Sequence, residues 1–300
     1  MGNRRSYRPL PPPTVWRICH DPGVTDAHEG TLGPLVDTTL RVATWNLWWR
    51  FGPWEQRAAP ILATLRAADA DVIALEEVWA ADGRNQAAEL ADALGGYHHA
   101  YAAKYEFEGV HFGNAVLSRW PITDQGHEYL PTPADEDEGR LVLRADIAGP
   151  RGPFSVYATH LHYRLHHGDI RQAQVKALCT YIRDTAVDGF PAVLCGDFNA
   201  VPDSDEIRML TGRATTPAPP LVFRDAWELV PGDGPGLTWS NDNPYAAVEA
   251  ETPARIDYVF VGWPQAGGRG HATSVALLGD EPVDGVWPSD HFGVVTDLRY

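Results

Sequence analysis

The stretch Val193-Leu194-Cys195-Gly196-Asp197-Phe198-Asn199 decides both the fold and the search for a site. Its apolar half predicts a buried strand that ends at Gly196. Side chains two apart on extended backbone point the same way, so we expect Asp197 and Asn199 to project together from the carboxyl end of this strand. A carboxylate and an amide aimed into one space can orient a water and stabilise a phosphate-like transition state, although an Asx turn explains the same residues.

Apolar runs of strand length and runs with helical spacing alternate along the rest of the chain. Strands are predicted at residues 39–45, 72–75, 114–118, 256–261, 273–278 and 291–298, and a hairpin at residues 141–147 and 154–159. Helices are predicted at residues 54–68, 86–94, 170–183, 203–210 and 223–229. Because this order mixes strand–helix units with hairpins, we expect packed mixed sheets flanked by helices rather than one parallel sheet.

The amino-acid composition and net charge indicate how the chain is divided into domains and which partners are disfavoured. Residues 1–37, which contain Pro11-Pro12-Pro13 and show no period, are expected to form an irregular N-terminal extension, and residues 38–300 a folded domain. The net charge of −16 argues against tight, sequence-independent binding of nucleic acid, which needs a basic face, without excluding a local arginine patch.

The cysteines and the hydropathy pattern bear on the compartment. Cys19, Cys179 and Cys195 form no Cys-x-x-Cys pair, which favours reduced thiols and a cytoplasmic protein. No apolar run follows the early arginines, so no signal peptide is expected. No stretch approaches the ~20 apolar residues of a membrane span, and the oligomeric state stays open.

Polar side chains recur at one end or the other of the predicted strands, and strand ends are where sites assemble in layered α/β folds. Each alone is explained as a turn residue or a structural histidine, but their shared placement favours one site. These residues are Asn46, Glu77, His160, Asp197, Asn199, Asp257, Asp290 and His291. Glu77 and Asp290 are hard oxygen ligands that, together with Asn46 and water, suit Mg²⁺ or Mn²⁺.

A histidine-rich segment follows one of these strand ends. His160, His162, His166 and His167 lie close enough in the sequence to bind zinc, but no Asp-His pair of the kind that many zinc hydrolases carry follows them. We therefore expect His162, His166 and His167 on a loop over the site or at the surface.

Short motifs around the strand ends occur in order within residues 38–300. They are Thr44-Trp45-Asn46, Leu75-Glu76-Glu77-Val78, Gly113-Asn114-Ala115-Val116-Leu117-Ser118-Arg119, Thr159-His160-Leu161, Gly196-Asp197-Phe198-Asn199, Arg255-Ile256-Asp257-Tyr258 and Ser289-Asp290-His291-Phe292-Gly293. Together they resemble the endonuclease/exonuclease/phosphatase superfamily, which includes deoxyribonuclease I. The resemblance implies a four-layer α/β sandwich of two packed mixed β-sheets flanked by helices, and a catalytic domain that hydrolyses a phosphate ester with a divalent metal.

The resemblance also implies residue roles around the metal and the water. Asn46 and Glu77 would bind the metal, with Asp290 beside or within its shell. Asp197 would orient and deprotonate the attacking water, and Asn199 would hold that water or a phosphate oxygen. Metal and cationic histidine together supply the positioning and charge neutralisation that phosphoryl transfer needs.

The remaining matched residues would serve the phosphate. His291 would contact it, with Asp257 fixing the tautomer of His291 and raising its pKa, and His160 would be a second contact. Asn114 is expected either to touch the substrate or to serve the sheet edge. Arg171 is expected either to support the site or to form a salt bridge on a helix surface.

The side chains that would select a substrate are ambiguous. Five aromatic residues near the first strand's end could stack on bases or meet a lipid or aromatic leaving group, or could fill the core; they are Trp45, Trp48, Trp49, Phe51 and Trp54. The acidic loop at residues 135–138 is expected to be a solvated surface loop, and it would repel a polyanion if it lay near the site. Glu76 stands where many relatives have Gln, and strand alternation predicts that it points away.

Three functions therefore stay open. The first is hydrolysis of a small or single-ended phosphate ester by a phosphodiesterase or phosphatase. The second is cleavage of DNA or RNA by an endonuclease or exonuclease, or DNA end-processing of the tyrosyl-DNA phosphodiesterase kind. The third is binding of a phosphate ligand without catalysis, which is disfavoured because none of the expected catalytic positions is substituted.

Overall fold

Two β-sheets packed face to face form the centre of the computed structural model, which describes residues 32–230 and 234–300. The strands are β1 (Thr39–Asn46), β2 (Val72–Ala81), β3 (Arg84–Asn85), β4 (His98–Phe107), β5 (Val110–Ser118), β6 (Ile122–Tyr129), β7 (Leu141–Gly149), β8 (Gly152–His160), β9 (Val193–Asp197), β10 (Arg224–Asp225), β11 (Asp257–Val261), β12 (Ala272–Leu278) and β13 (Gly293–Arg299). The helices are α1 (Trp54–Ala68), α2 (Gln86–Ala93), α3 (Gly168–Thr185), α4 (Asp205–Leu210), α5 (Ala226–Leu229) and α6 (Pro244–Ala247).

Both sheets are mixed, as predicted. The first has the order β12-β13-β1-β2-β5-β4, with β3 paired to β2, and the second has the order β10-β11-β9-β8-β7-β6. Each contains one parallel pair, β1 with β2 and β8 with β9, among antiparallel neighbours. Because parallel strands end at the same edge, the carboxyl ends of each pair come together.

Strand alternation divides the core into layers. In β1, Val42 lies between the two sheets, whereas Trp45 lies in the core that the first sheet shares with α1 and α2. In β9, Cys195 lies between the sheets, and Leu194 lies in the core shared with α3 and α4. Helices therefore cover both outer faces, and the predicted four-layer α/β sandwich is confirmed.

The observed elements differ from the predicted ones for local reasons. β2 continues to Ala81 because a bulge between Leu75 and Val78 carries the strand past two glutamates. The hydrophobic pattern does not predict β6. It is an edge strand, and its side chains are therefore largely polar and exposed.

The amino-terminal region is described only in part. Residues 1–31, which contain Cys19 and most of the predicted extension, lie outside the described residues. From residue 32 to β1 the chain is irregular, and the Val36 N–H donates to the Gly267 carbonyl at 2.9 Å. Cys179 and Cys195 are buried free thiols. Across the described ranges, the helices are all too short or too polar to cross a membrane.

Candidate active site

Three neighbouring strands of the second sheet bring His160, Asp197 and Asp257 together. His160 in β8 pairs with Asp197 in β9, and Asp197 pairs with Asp257 in β11. Residues paired in register lie on the same face of a sheet, so the three side chains leave one edge side by side. All three are buried.

The first sheet supplies the opposite side of this site. Asn46 ends β1 and pairs with Glu76 of β2. Glu76 is fully buried and accepts a hydrogen bond from the Thr44 hydroxyl at 3.3 Å, while burial and nearby carboxylates raise its pKa well above the ordinary range. Glu77 reaches the site through the bulge, with φ of 55°. Glu76 therefore does not point away, because the bulge breaks the alternation on which that expectation rested.

Asp197 lies at the centre of the cluster. Its Oδ1 accepts from the Asn199 N–H at 2.8 Å, and its Oδ2 accepts from Asn46 Nδ2 at 3.1 Å. Oδ2 also lies 3.3 Å from His160 Nε2 and 3.8 Å from His291 Nε2. Burial and a neighbouring carboxylate raise the pKa of Asp197 to about 6. A carboxylate with this pKa is a competent base near neutral pH.

The two histidines beside Asp197 differ in charge. Burial lowers the pKa of His160 well below its ordinary value, and the positive charge of Arg140 adds to the effect, so this ring is neutral. Burial also opposes the charge on His291, but the carboxylates of Asp257 and Asp197 outweigh it and raise the His291 pKa well above its ordinary value. Asp257 Oδ2 lies 3.0 Å from His291 Nδ1, which fixes a proton there.

Crowded carboxylates make this site suited to a cation. Glu77 Oε2 is buried without a hydrogen-bond partner, and burial raises the Glu77 pKa. Burial, together with the charge of Glu77, raises the pKa of Asp290 to about 7. Carboxylate oxygens of Asp197 and Asp257 lie within 4.8 Å of each other. These crowded carboxylates, rather than the cationic His291, therefore fit a divalent cation, which would relieve their mutual repulsion.

Two asparagines orient these groups. Asn46 Nδ2 donates to Glu77 Oε1 and to Asp197 Oδ2, both at 3.1 Å, while Asn46 Oδ1 accepts from an N–H of its own loop at 2.9 Å. A metal contact from the Asn46 oxygen would require the amide to turn. Asn199, with φ of 48°, places its Nδ2 3.1 Å from His160 Nε2.

Gly196 allows β9 to pass close to β8. Its φ is 146°, and a Cβ here would overlap the carbonyl oxygen of Thr159. Gly196→Ala should therefore lower the free energy of unfolding by about 3 kcal/mol or more, as measured by urea titration. Gly152→Ala is the matched control, because its φ is 118° but nothing lies within 4 Å of the added Cβ. Equal losses in the two variants would contradict the overlap.

Arg57 of α1 holds two segments that flank the site, and no sequence motif reveals this role. It is fully buried, and it donates at 2.7 to 3.0 Å to the carbonyls of Leu47, Trp48, Trp49, Phe51 and Pro288. These carbonyls belong to the loop after β1 and to the segment before Asp290. Burial lowers the pKa of Arg57 to about 10, so it stays charged at neutral pH and ties the two segments together.

The segment Ser289-Asp290-His291 is held by a second residue that the motifs do not mark. Asn243 is fully buried, and its Nδ2 donates to the carbonyls of Ser289 at 2.7 Å and Asp290 at 3.2 Å. The Ser289 hydroxyl donates to the Asn46 carbonyl at 2.6 Å. The sequence does signal a turn at Asn243-Pro244, but not the long-range contact that this turn makes.

A cleft of about 780 Å³ opens at the buried cluster. Aromatic side chains line much of it, namely Trp48, Trp49, Phe51, Tyr105, Phe107, Phe112, Tyr163 and Trp239. Of the five aromatic residues considered from the sequence, Trp45 is instead fully buried and Trp54 packs edge-on against Trp79. The core-filling interpretation is therefore correct for Trp45, while contact of Trp48, Trp49 and Phe51 with a substrate stays a prediction.

The acidic loop at residues 135–138 lines the same cleft, which corrects the expectation of an ordinary surface loop. Arg140 pairs with Glu138 at 2.8 Å, and Arg164 Nε donates to Glu136 at 3.0 Å. Each arginine neutralises part of this acidic segment, but the segment still places carboxylates in the wall of the cleft.

Asn114 and Arg171, predicted as substrate-binding residues, do not line the cleft. Asn114 is buried and donates to carbonyls of β7 and β8, which ties the two sheets together. Arg171 forms a buried ion pair with Glu206 at 2.6 Å and donates to carbonyls of the loop at residues 162–165. Both contacts are supporting ones, but Asn114 joins the two sheets from the internal strand β5 rather than serving a sheet edge, and the Arg171 ion pair is buried rather than on a helix surface.

The histidine-rich segment is more buried than expected. It connects β8 to α3, and His166 is exposed, but His162 is fully buried. His162 Nε2 lies 2.7 Å from Nδ1 of His167, which immediately precedes α3. His162 Nδ1 lies 2.9 Å from Glu138 Oε2. The segment thus contacts the acidic loop that lines the cleft.

Two packed mixed sheets with carboxylates and histidines at one edge define the class of deoxyribonuclease I-like α/β sandwiches. The chain belongs to the endonuclease/exonuclease/phosphatase family, whose model matches residues 43–291, and the predicted resemblance is confirmed.

Sequence relatives match part of this chain. The uncharacterized protein YbhP of Escherichia coli strain K12 is 30% identical over 146 residues, which cover 45% of this chain and 56% of YbhP. Protein angel homolog 2 of Homo sapiens is 31% identical over 169 residues, covering 50% of this chain and 30% of that protein. The chain thus spans about half the length of YbhP and less of the angel homolog.

Solved structures match nearly all of the chain at the level of the fold. D. rerio TDP2 complexed with single strand DNA product covers 88% of this chain and 100% of its own, with a TM-score of 0.72 and 18% identity. A mannosyl-6-phosphatase of Bacteroides thetaiotaomicron covers 87% and 100%, with a TM-score of 0.67 and 20% identity.

Proposed function

We propose that this protein is a divalent-metal-dependent hydrolase of phosphate esters in which water attacks phosphorus in line. The observation that carries the proposal is the position of Asp197, a carboxylate with a pKa of about 6, between a cationic His291 and a neutral His160. Groups whose pKa values are pushed apart in one buried site are typical of acid–base chemistry.

The protein side chains have separate tasks in this scheme. Asp197 takes the proton of the attacking water, and Asn199 holds that water or a phosphate oxygen. His291 donates its Nε2–H to a phosphate oxygen as negative charge develops, while Asp257 keeps the ring protonated and aligned. His160 is a second contact to the phosphate.

The metal site of this proposal is made of oxygen ligands. Glu77 and Asp290 would hold the ion, with Asn46 beside them, and the unpartnered Glu77 Oε2 supports this placement. Such a donor set suits Mg²⁺ or Mn²⁺. The ion would supply charge neutralisation and alignment of the phosphate group.

The cleft favours a small or single-ended ester over a long polyanion. The acidic segment at residues 135–138 and the net charge of −16 both oppose a polyanion that fills the cleft. A nuclease or a DNA end-processing enzyme is the second candidate, because exposed aromatic side chains at the cleft suit base stacking and the TDP2 neighbour was solved with single-stranded DNA product. A cytoplasmic location remains our expectation from the cysteines.

Turnover assays separate these functions. Bis-p-nitrophenyl phosphate, p-nitrophenyl phosphate and supercoiled plasmid would each be incubated with Mg²⁺, Mn²⁺ or EDTA. Metal-dependent ester hydrolysis with intact plasmid supports the first proposal. Plasmid cleavage that weakens steeply with salt supports the nuclease. Absence of metal-dependent turnover on all three substrates would count against both enzymatic proposals and favour a non-catalytic binding protein.

Glu77→Gln should raise the Mg²⁺ concentration for half-maximal turnover by about 10-fold or more, because an anionic ligand becomes neutral. The measurement is a Mg²⁺ titration of initial rates. Glu89→Gln, which alters an exposed carboxylate paired with Arg84, is the matched control. An unchanged titration of the Glu77 variant would remove Glu77 from the metal site.

Arg57→Met should lower kcat/KM by about 10- to 100-fold and the free energy of unfolding by about 3 kcal/mol, because buried carbonyls lose their donor. Steady-state kinetics and urea titration measure the two effects. Arg66→Met on the same helix is the control, since Arg66 donates to one exposed carbonyl. A loss of stability with unchanged kcat/KM would show that Arg57 does not position the site.

A further inference from the structure

Apart from the catalytic cluster, a second group of side chains that can ligate a metal connects the acidic segment at residues 135–138 with the start of α3. Ligand atoms of Glu136, His162 and His167 all lie within 4.8 Å of one another. His162 Nε2 is 2.7 Å from His167 Nδ1 and 3.8 Å from Glu136 Oε2. We propose that Glu136, His162 and His167 bind a transition-metal ion of the zinc class.

The donor set distinguishes this site from the catalytic one. Two imidazole nitrogens and one carboxylate oxygen suit zinc and its neighbours among the transition metals, whereas Mg²⁺ and Ca²⁺ prefer oxygen ligands throughout. Three protein ligands leave a fourth tetrahedral position for water. The catalytic cluster, in contrast, is dominated by carboxylates.

Glu138 lies behind the His162 ring. Its Oε2 is 2.9 Å from His162 Nδ1, although the direction of approach does not make a hydrogen bond, while Nε2 faces His167 and Glu136. A small rotation of Glu138 would let it hold a proton on Nδ1 when Nε2 binds an ion. A carboxylate behind a ligating imidazole is the usual support at protein metal sites. His162 is fully buried, and packing therefore fixes the direction of its ring.

Two contacts would change when the ion binds. Tetrahedral coordination with metal–nitrogen bonds of about 2.0–2.1 Å places two nitrogens roughly 3.3 Å apart, so His162 and His167 would separate by about half an ångström. His167 is half-buried and adjoins the helix end, which allows this shift. Arg164 Nε donates to Glu136 Oε2 at 3.0 Å, and its exposed side chain can release that oxygen.

A hydrogen bond from His167 Nδ1 to His162 Nε2 is the alternative explanation of the same contact, and it predicts no metal affinity. An ion, in contrast, would fasten residues 134–138 to the loop at residues 162–167. Because residues 134–138 line the cleft, occupancy would rigidify that part of its wall, and the backbone amides there would exchange with solvent more slowly.

The test is a Co²⁺ titration of the full chain, stripped with a chelator and then kept in excess Mg²⁺ so that the oxygen-rich site is occupied. We expect one equivalent of Co²⁺ with the strong visible absorption of tetrahedral coordination, displaced by Zn²⁺. His167→Ala should weaken Co²⁺ binding by at least about 10-fold. His166→Ala, which alters the exposed adjacent histidine, should bind Co²⁺ as the wild type does. Zn²⁺ should raise the unfolding midpoint of the wild type and of His166→Ala, but not that of His167→Ala.

Three results would overturn the site. They are no Co²⁺ binding by the wild type in Mg²⁺, wild-type affinity in His167→Ala, or loss of Co²⁺ binding in Asp197→Asn, which changes only the catalytic cluster. The readout is binding rather than turnover, so it does not depend on the proposed hydrolase activity.

Discussion

Asp197→Asn will lower kcat for ester hydrolysis by about 10³-fold or more while leaving the fold intact. The amide keeps the shape of the carboxylate but cannot take a proton from water. It also cannot balance the charge of His291, whose Nε2 lies 3.8 Å away. Initial rates at saturating Mg²⁺ measure the effect.

Stability provides the control for this prediction. In metal-free protein, Asp197→Asn removes one of several crowded buried carboxylates, so its free energy of unfolding should equal or exceed that of the wild type. Asp205→Asn changes an exposed carboxylate of α4 and should alter neither quantity. A kcat within 10-fold of the wild-type value would contradict the role of Asp197 as base.

His291→Gln will lower kcat by about 10²- to 10⁴-fold, because a cation that faces the phosphate is lost. Activity that needs this cation falls as the pH rises through the His291 pKa. Asp257→Asn removes the carboxylate that helps to raise that pKa, so the alkaline limb of the kcat–pH profile should move down by about one pH unit or more. His127→Ala, which alters an exposed histidine, is the control.

The raised pKa of His291 also makes the free energy of unfolding depend on pH in a definite direction. A raised pKa in the folded state means that His291 stabilises the fold fully below the ordinary histidine pKa and that this contribution is lost as the pH rises through the raised value. Identical pH profiles of Asp257→Asn and the wild type would show that Asp257 does not control the charge of His291.

Periodicity and strand-end chemistry predict much of this molecule. Helix α1 occupies the predicted residues 54–68, because helical apolar spacing and a local break at Gly52-Pro53 define it. The site residues of β8, β9 and β11 converge because His160 and Asp197 end apolar runs and Asp257 begins one, and the antiparallel pairing of β11 with β9 places all three at the same edge.

Features that depend on distant contacts could not be predicted in this way. The bulge that brings Glu77 to the site depends on the pairing of β2 with β5. Arg57 looks like any helix arginine until its five carbonyl partners are known. Residues 135–138 have the composition of an ordinary surface loop, and only tertiary packing places them at the cleft.

The pairing register of His160, Asp197 and Asp257 makes insertions within the strands very different in effect from insertions in the loops. A one-residue insertion within β8, β9 or β11 would turn a reacting side chain to the opposite face and destroy the chemistry at once. The segments at residues 47–51, 134–138 and 162–167 instead lie between regular strands and helices, and they can change length without disturbing that register. If the proposed hydrolase activity holds, exchanging these loops over an unchanged set of strand ends would be a direct way to alter selectivity.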